Sequence, residues 1–357
     1  AGHAGDVAQP KYEPLLGRYL SDDPSVFGAH IEWAKEAGIR FFVFDWWPER
    51  RSARRRIRKN LDHAANLLNN FEFAVQYETL DLKTSERKPR PDEDFNELIM
   101  TQERAERMAK HWQHIATEYA SHPAYKRIDG RPVLFVYASR HVVGDAAKYF
   151  LWAKEEVARV TGVSFYLIGD EVYFNVLDRT RKGEVILKSE RTANWPRLSA
   201  FDAITCYNPY DSSRKEHSGP EGLERFIADV SDLYRYYRGV AAAGGQRFFP
   251  GIIPGYDDRG VRPKAGHYII PRQDSTGRSL LSRLFDEWSG AHLTPENDQI
   301  LITSWNEWNE GTQIEPSRDA LGQSPADAPG SCGQLVEQSS YGCKYLSELR
   351  RISRKYR

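Results

Sequence analysis

Cysteine is scarce in this chain, with three residues among 357, so at most one bridge can form. Cys206 lies in the apolar run "AFDAITCYN" and reads as a small core residue. Cys332 and Cys343 flank a short polar loop whose span suits a local disulfide, which would place folding in an oxidising compartment. A secreted, periplasmic or secretory-lumen location is therefore expected. An excess charge of one sign is also missing: Lys+Arg and Asp+Glu both total 50. No overall basic field exists to attract nucleic acid or an anionic membrane, and no partner of either kind is expected. The densest basic run, "ERRSARRRIRKN" (49–60), suits either an anion patch or a solvated helix face. No stretch reaches membrane-spanning length without charges. The chain starts at Ala1 without Met or an apolar signal segment, which suggests trimming ahead of it. The histidines His30, His63, His114, His122, His141, His217, His267 and His292 read as scattered and unpaired, so neither a metal nor an organic cofactor is expected.

What is present is a strict alternation. Runs of strand type recur at 39–47, 71–78, 132–139, 164–172, 200–208, 247–257 and 299–308. Helical periodicity fills the gaps at 24–38, 60–70, 101–122, 144–162 and 222–245. Alternation with no glycine-rich phosphate fingerprint after the first strand argues for an α/β fold of the (β/α)8 TIM-barrel type rather than a dinucleotide-binding sheet. One domain is expected over 1–357, with a loop at 1–23, a surface loop at 318–335 and a C-terminal helix at 336–357. A closed barrel needs eight strands and seven are visible, so the first strand is expected to precede Ala1. A monomer is the favoured state.

The ends of these strands carry the chemistry. They read Asp45-Trp46-Trp47, Gln76-Tyr77-Glu78, Asp170-Glu171, Tyr207-Asn208, Tyr256-Asp257-Asp258-Arg259 and, in "QILITSWNEWNEGTQIEPS" (299–317), Trp305-Asn306-Glu307-Trp308-Asn309-Glu310. Carboxylates beside flat aromatic rings suit a sugar site, where acids move protons at the glycosidic oxygen and ring faces stack on pyranose C–H groups. Trp46, Trp47, Tyr77, Tyr207 and Tyr256 are expected to line one cleft, with Asp257 and Arg259 binding hydroxyls. Either Trp46 or Trp47 would make the main stacking contact and the other would pack, because neighbours on a strand face opposite ways.

The stretch "ITSWNEWNEGTQIEPS" resembles the last-strand signature of glycoside hydrolase family 99, the endo-α-mannosidases, and of the related WbsX-type polysaccharide proteins. "LGRYLSDDPSVFGAHIEWAKEAGIRFFVFDWW", "HPAYKRIDGRPVLFVY" and "FFPGIIPGYDDRGVRP" are similar to other segments of that family. The resemblance implies a retaining reaction without a protein nucleophile. In it the residue matching Glu307 is the base on the sugar 2-hydroxyl, which closes to a 1,2-anhydro sugar, and the residue matching Glu310 protonates the leaving oxygen and then activates water. It also implies an oligo- or polysaccharide substrate. This chain departs from the family in carrying Trp305 and Asn309 where Phe and His are usual, which bears on the glycan recognised. Two other readings stand beside hydrolysis. One is a WbsX-like transferase or trimming enzyme of polysaccharide biosynthesis, and the other is a non-catalytic sugar-binding barrel.

Overall fold

The computed structural model describes residues 12–63, 68–84, 97–174, 177–179, 185–187, 195–289, 293–294, 298–319 and 342–355. Its main elements in chain order are β1 (Tyr12–Pro14), α1 (Pro24–Ala37), β2 (Phe41–Trp46), α2 (Arg51–His63), β3 (Glu72–Glu78), α3 (Gln102–Glu118), β4 (Arg131–Tyr137), α4 (Ala146–Thr161), β5 (Tyr166–Asp170), β6 (Ala203–Thr205), α5 (Gly219–Gly244), β7 (Arg247–Phe249), β8 (Gly251–Ile252), β9 (Leu301–Ile302), β10 (Ser317–Asp319) and α6 (Lys344–Lys355).

Local chemistry sets the helix ends. Asp23 caps α1 by accepting from the Ser25 amide at 2.9 Å, with Pro24 in the first turn, and Gly38 closes the helix in the left-handed region at φ 85°. Thr101 caps α3 through the Arg104 amide. The arginine-rich run is itself α2, so this helix begins nine residues before the expected 60. Arginine forms helix readily, and Ile57, Asn60 and Leu61 give the run a single buried face.

Strands β2, β3, β4, β5, β6 and β7 pair in parallel, each with its neighbour in sequence. The strand expected over 247–257 is interrupted at Pro250, which has no amide to give, and resumes as β8 in parallel pairing with β9. Seven parallel segments thus follow one another around the sheet in sequence order, with helices outside. Side chains alternate between two cores. Ala74, Val133, Phe135, Tyr166, Ile168, Ala203 and Phe249 fill the interior with Phe41, Val43 and Leu301 against them, while a larger outer core joins the strands to the helices. Among the described residues, the edges of β2 and β9 do not pair with each other; Phe42 and Trp305 face across the gap at 5.0 Å.

The loops expected at the two ends of the chain are partly strand: β1 pairs antiparallel with β10, Tyr12 opposite Asp319. The C-terminal helix spans Lys344–Lys355 within the expected range. Cys343 is disulfide-bonded and Cys206 is a buried free thiol, whereas Cys332 lies outside the described residues.

Candidate active site

Register decides which side chains reach the barrel mouth. Asp45 stands opposite Gln76 and Trp46 opposite Tyr77, so alternation turns Asp45, Gln76 and Glu78 inward and Trp46 and Tyr77 outward. Trp46 is 0% exposed and stacks on Tyr77 at 6.1 Å, and the Tyr77 hydroxyl bonds His111 Nδ1 at 3.0 Å. This corrects the expectation that both rings line the cleft. His111 and His114, three residues apart on α3, correct the reading of unpaired histidines; both rings lie within about 6 Å of Trp46. Burial, joined for His111 by Arg107, holds both imidazoles below their usual range, His111 down to about 4. No group of three His, Cys, Asp or Glu placed to hold a metal occurs among the described residues.

On the inner side, the Trp47 indole donates to Asp45 Oδ2 at 2.6 Å, and Arg50 lies over the Trp47 ring at 3.9 Å. Glu78 is pushed well above the usual carboxylate range, first by burial and then by the charge of Asp45 and a hydrogen bond with it. Burial and the neighbouring carboxylate thus favour the protonated form of Glu78. Asp170 also faces the interior but is fully engaged, accepting from the Ala138 and Tyr207 amides at 3.0 Å each and from Arg140. It ties three strand ends together. Glu171, the next residue, faces outward into a buried ion pair with Arg197 at 2.6 Å.

Past β9 the backbone leaves the sheet. Ser304 Oγ accepts from the Glu307 amide at 2.8 Å, and the Glu307 carboxylate accepts from the Asn309 amide at 3.1 Å. Gly311, at φ 63°, ends the turn where an added Cβ would lie 2.9 Å from the Asp257 carbonyl oxygen. This tight turn aims Glu307 and Glu310 into the same cavity. Burial raises Glu307, and the nearby Glu310 and Asp45 charges add to the effect. Glu310 meets different partners: Tyr210 donates its hydroxyl to Oε2 at 2.9 Å and Arg262 Nη1 donates to Oε1 at 3.1 Å.

A family model described as Glycosyltransferase WbsX matches residues 3–323. The chain belongs to the WbsX family. Glycoprotein endo-alpha-1,2-mannosidase from Mus musculus is 25% identical over 329 residues, 88% of this chain and 59% of the relative. The uncharacterized protein WxcX from Xanthomonas campestris is 24% identical over 245 residues, 64% of this chain and 31% of that protein. The WbsX-family chain thus spans about 59% of the length of the mannosidase relatives it matches. Among solved structures, a glycoside hydrolase-like protein superposes with a TM-score of 0.69 at 19% identity, covering 96% of this chain and 89% of that one. The GH99 endo-alpha-mannosidase from Bacteroides thetaiotaomicron superposes at 0.62 with 23% identity, covering 98% and 84%. The sheet order and these neighbours together make the fold a (β/α)8 barrel, with seven of its parallel strands described.

In this WbsX-family barrel the cavity measures about 1410 Å³ and continues from the strand ends down the gap between β2 and β9. Of the residues expected at the site, Asp45, Trp47, Glu78, Tyr207, Trp305, Asn306, Glu307, Asn309 and Glu310 line it. Asn208, Tyr256, Asp257, Arg259 and Trp308 do not. Tyr256 lies behind Tyr210, ring on ring at 4.0 Å. Asp257 and Arg259 pair with each other at 2.9 Å on the outer rim. Trp308 turns away to donate to the buried Glu315 at 3.0 Å and packs with Tyr12 and Tyr19. Asn208 Oδ1 is buried with no partner among the described residues. Sequence reasoning missed Tyr137, Tyr210 and Arg262. Tyr137 ends a strand whose final residues were not read as a site, Tyr210 comes two positions after Asn208, and Arg262 comes three after Arg259 within a segment quoted only for its resemblance.

Proposed function

We propose that the chain is a glycoside hydrolase acting on α-linked glycans, in the manner of a retaining endo-α-mannosidase working through a 1,2-anhydro sugar. The observation that carries this reading is the placement of Glu307 and Glu310 in one cavity with different partners. Glu307, raised by burial, is the stronger proton acceptor once ionised and suits the weakly acidic 2-hydroxyl. Glu310, at the mouth beside Tyr210, suits the exchange of a proton with the departing oxygen and then with water. Trp47, Tyr207 and Trp305 offer ring faces and edges for the sugar, and the GH99 neighbours and the mannosidase relatives favour an α-mannoside. The disulfide at Cys343 supports a secreted, periplasmic or secretory-lumen location.

The test is turnover of α-mannans and defined α-mannosides by wild type, Glu307→Gln and Glu310→Gln. Both variants are expected to lose roughly 10²–10⁴-fold on unactivated substrates. A substrate with a good leaving group should restore much of the Glu310→Gln rate and none of the Glu307→Gln rate. Substantial activity of either variant on an unactivated glycan would sink the assignment.

A second reading, glycosyl transfer from a phosphate-activated donor, is favoured by one feature. Arg50 and Arg56 of the basic run line the same cavity, and Arg56 makes no ion pair among the described residues. Turnover of nucleotide sugars, with mannans left intact, would establish it instead.

A further inference from the structure

Arg262 lies on the loop after β8, in no element the reaction reading uses. Its Nη1 donates both to Glu310 Oε1 at 3.1 Å and to Asp258 Oδ2 at 2.9 Å. Asp258 is itself 0% exposed and is held by His267 Nδ1 at 2.7 Å. With Tyr210 on Oε2, both oxygens of Glu310 accept hydrogen bonds, one of them from a cation. A proton on Oε1 would displace the guanidinium, since Arg262 has donors only. Yet the Arg262 side chain is 49% exposed, and Nε and Nη2 have no partner among the described residues. The anchored end of the contact is at Asp258 and the releasable end is at Glu310.

We propose that Arg262 is a positioning residue that ties Glu310 as a carboxylate in the resting protein and must release it before Glu310 can protonate a departing oxygen. The inference rests on the assignment of Glu310 to proton transfer. The gated step moves one proton. Glu310 takes it from solvent hydronium, leaving water, when the guanidinium leaves, then gives it to the glycosidic oxygen as the C1–O electron pair passes to that oxygen and the sugar 2-oxygen, its proton taken by Glu307, bonds to C1. The leaving-side sugar, entering beside Tyr210, takes the place of Arg262 on Oε1. Among the described residues, the other groups facing Glu310 are Tyr137, Tyr207, Tyr210, Tyr256 and Glu307, all neutral or acidic, and Arg262 is the cation in contact with its carboxyl.

The experiment is a ¹³C-carboxyl titration of protein labelled at glutamate Cδ, with the Glu310 resonance assigned by its loss in Glu310→Gln. In Arg262→Met the resonance is expected to titrate higher by about one pH unit or more, and in Arg262→Lys close to wild type. Arg262→Gln serves if the Met variant does not fold. An unchanged midpoint in the charge-removing variants overturns the proposal. Because the titration needs no substrate, it reads the clamp even if no glycan is turned over. Where an unactivated glycan is cleaved, the alkaline limb of kcat/KM should move up in Arg262→Met by the same interval. A fall in rate with the limb fixed would mean a merely structural role.

Discussion

Glu307 and Glu310 leave one turn three residues apart and meet opposite surroundings. Burial favours the neutral form of Glu307, so its folded-state value lies above the ordinary 4.5. An acid shifted in that direction gives its full contribution to stability below the unfolded-state value and loses it as pH rises. Glu307→Gln keeps the carbonyl oxygen that accepts from Asn309 but carries no charge to bury. It is therefore expected to melt above wild type at neutral pH, with the difference closing as pH falls from the raised folded-state value towards 4.5. Melting curves across that window check it, and a variant less stable than wild type at neutral pH would contradict the burial argument. At this scale the sequence showed which carboxylates stand at the mouth, because strand ends are local features. It could not show their surroundings. Tyr210 and Arg262 reach Glu310 from 100 and 48 positions away, and no local pattern encodes such a meeting.

Within a single strand, adjacent residues have different fates, and β2 shows how far the pattern can be read. Its strand character follows from "IRFFVFDWW", but which tryptophan faces inward depends on where pairing with β3 begins. The pairing of Phe41 with Glu72 settles it: Trp46 goes outward against α3 and Trp47 reaches the cavity. Trp46→Ala is expected to cost about 3–5 kcal/mol of stability, measured by urea unfolding, while glycan affinity is kept. Trp47→Ala should do the reverse, weakening glycan binding with little change in the unfolding midpoint. The last strand taught a different lesson. The run at 299–308 looks extended throughout, yet only Leu301–Ile302 pairs, because the backbone bonds from Ser304 onward close on Glu307 and Thr312 instead of a neighbouring strand. Turn geometry of that kind is set by polar side chains and glycine rather than by hydrophobic period.

For the molecule as a whole, the order of strands around the sheet was legible from alternation alone, since consecutive parallel strands with helices between them close in one direction. The way the chain's ends are fastened was not. Buried Glu315 accepts from the Tyr19 hydroxyl at 2.6 Å and Trp308 at 3.0 Å, and His30 of α1 lies 3.1 Å from it, so one carboxylate joins the start of the chain to its last strand segment. Across the gap between β2 and β9 the contacts are of this side-chain kind, with Phe42 and His30 against Trp305. Rings exclude some water there but give the backbone no acceptor. The residues of β2 from Phe41 to Asp45 are accordingly only half-buried, whereas β5 is buried throughout. This gap should be visible in amide hydrogen exchange: alternate amides of β2, those turned from β3, should exchange in native buffer well before their neighbours and before the amides of β3, which has strands on both sides. Uniform protection along β2 would mean that its outer edge is covered in solution.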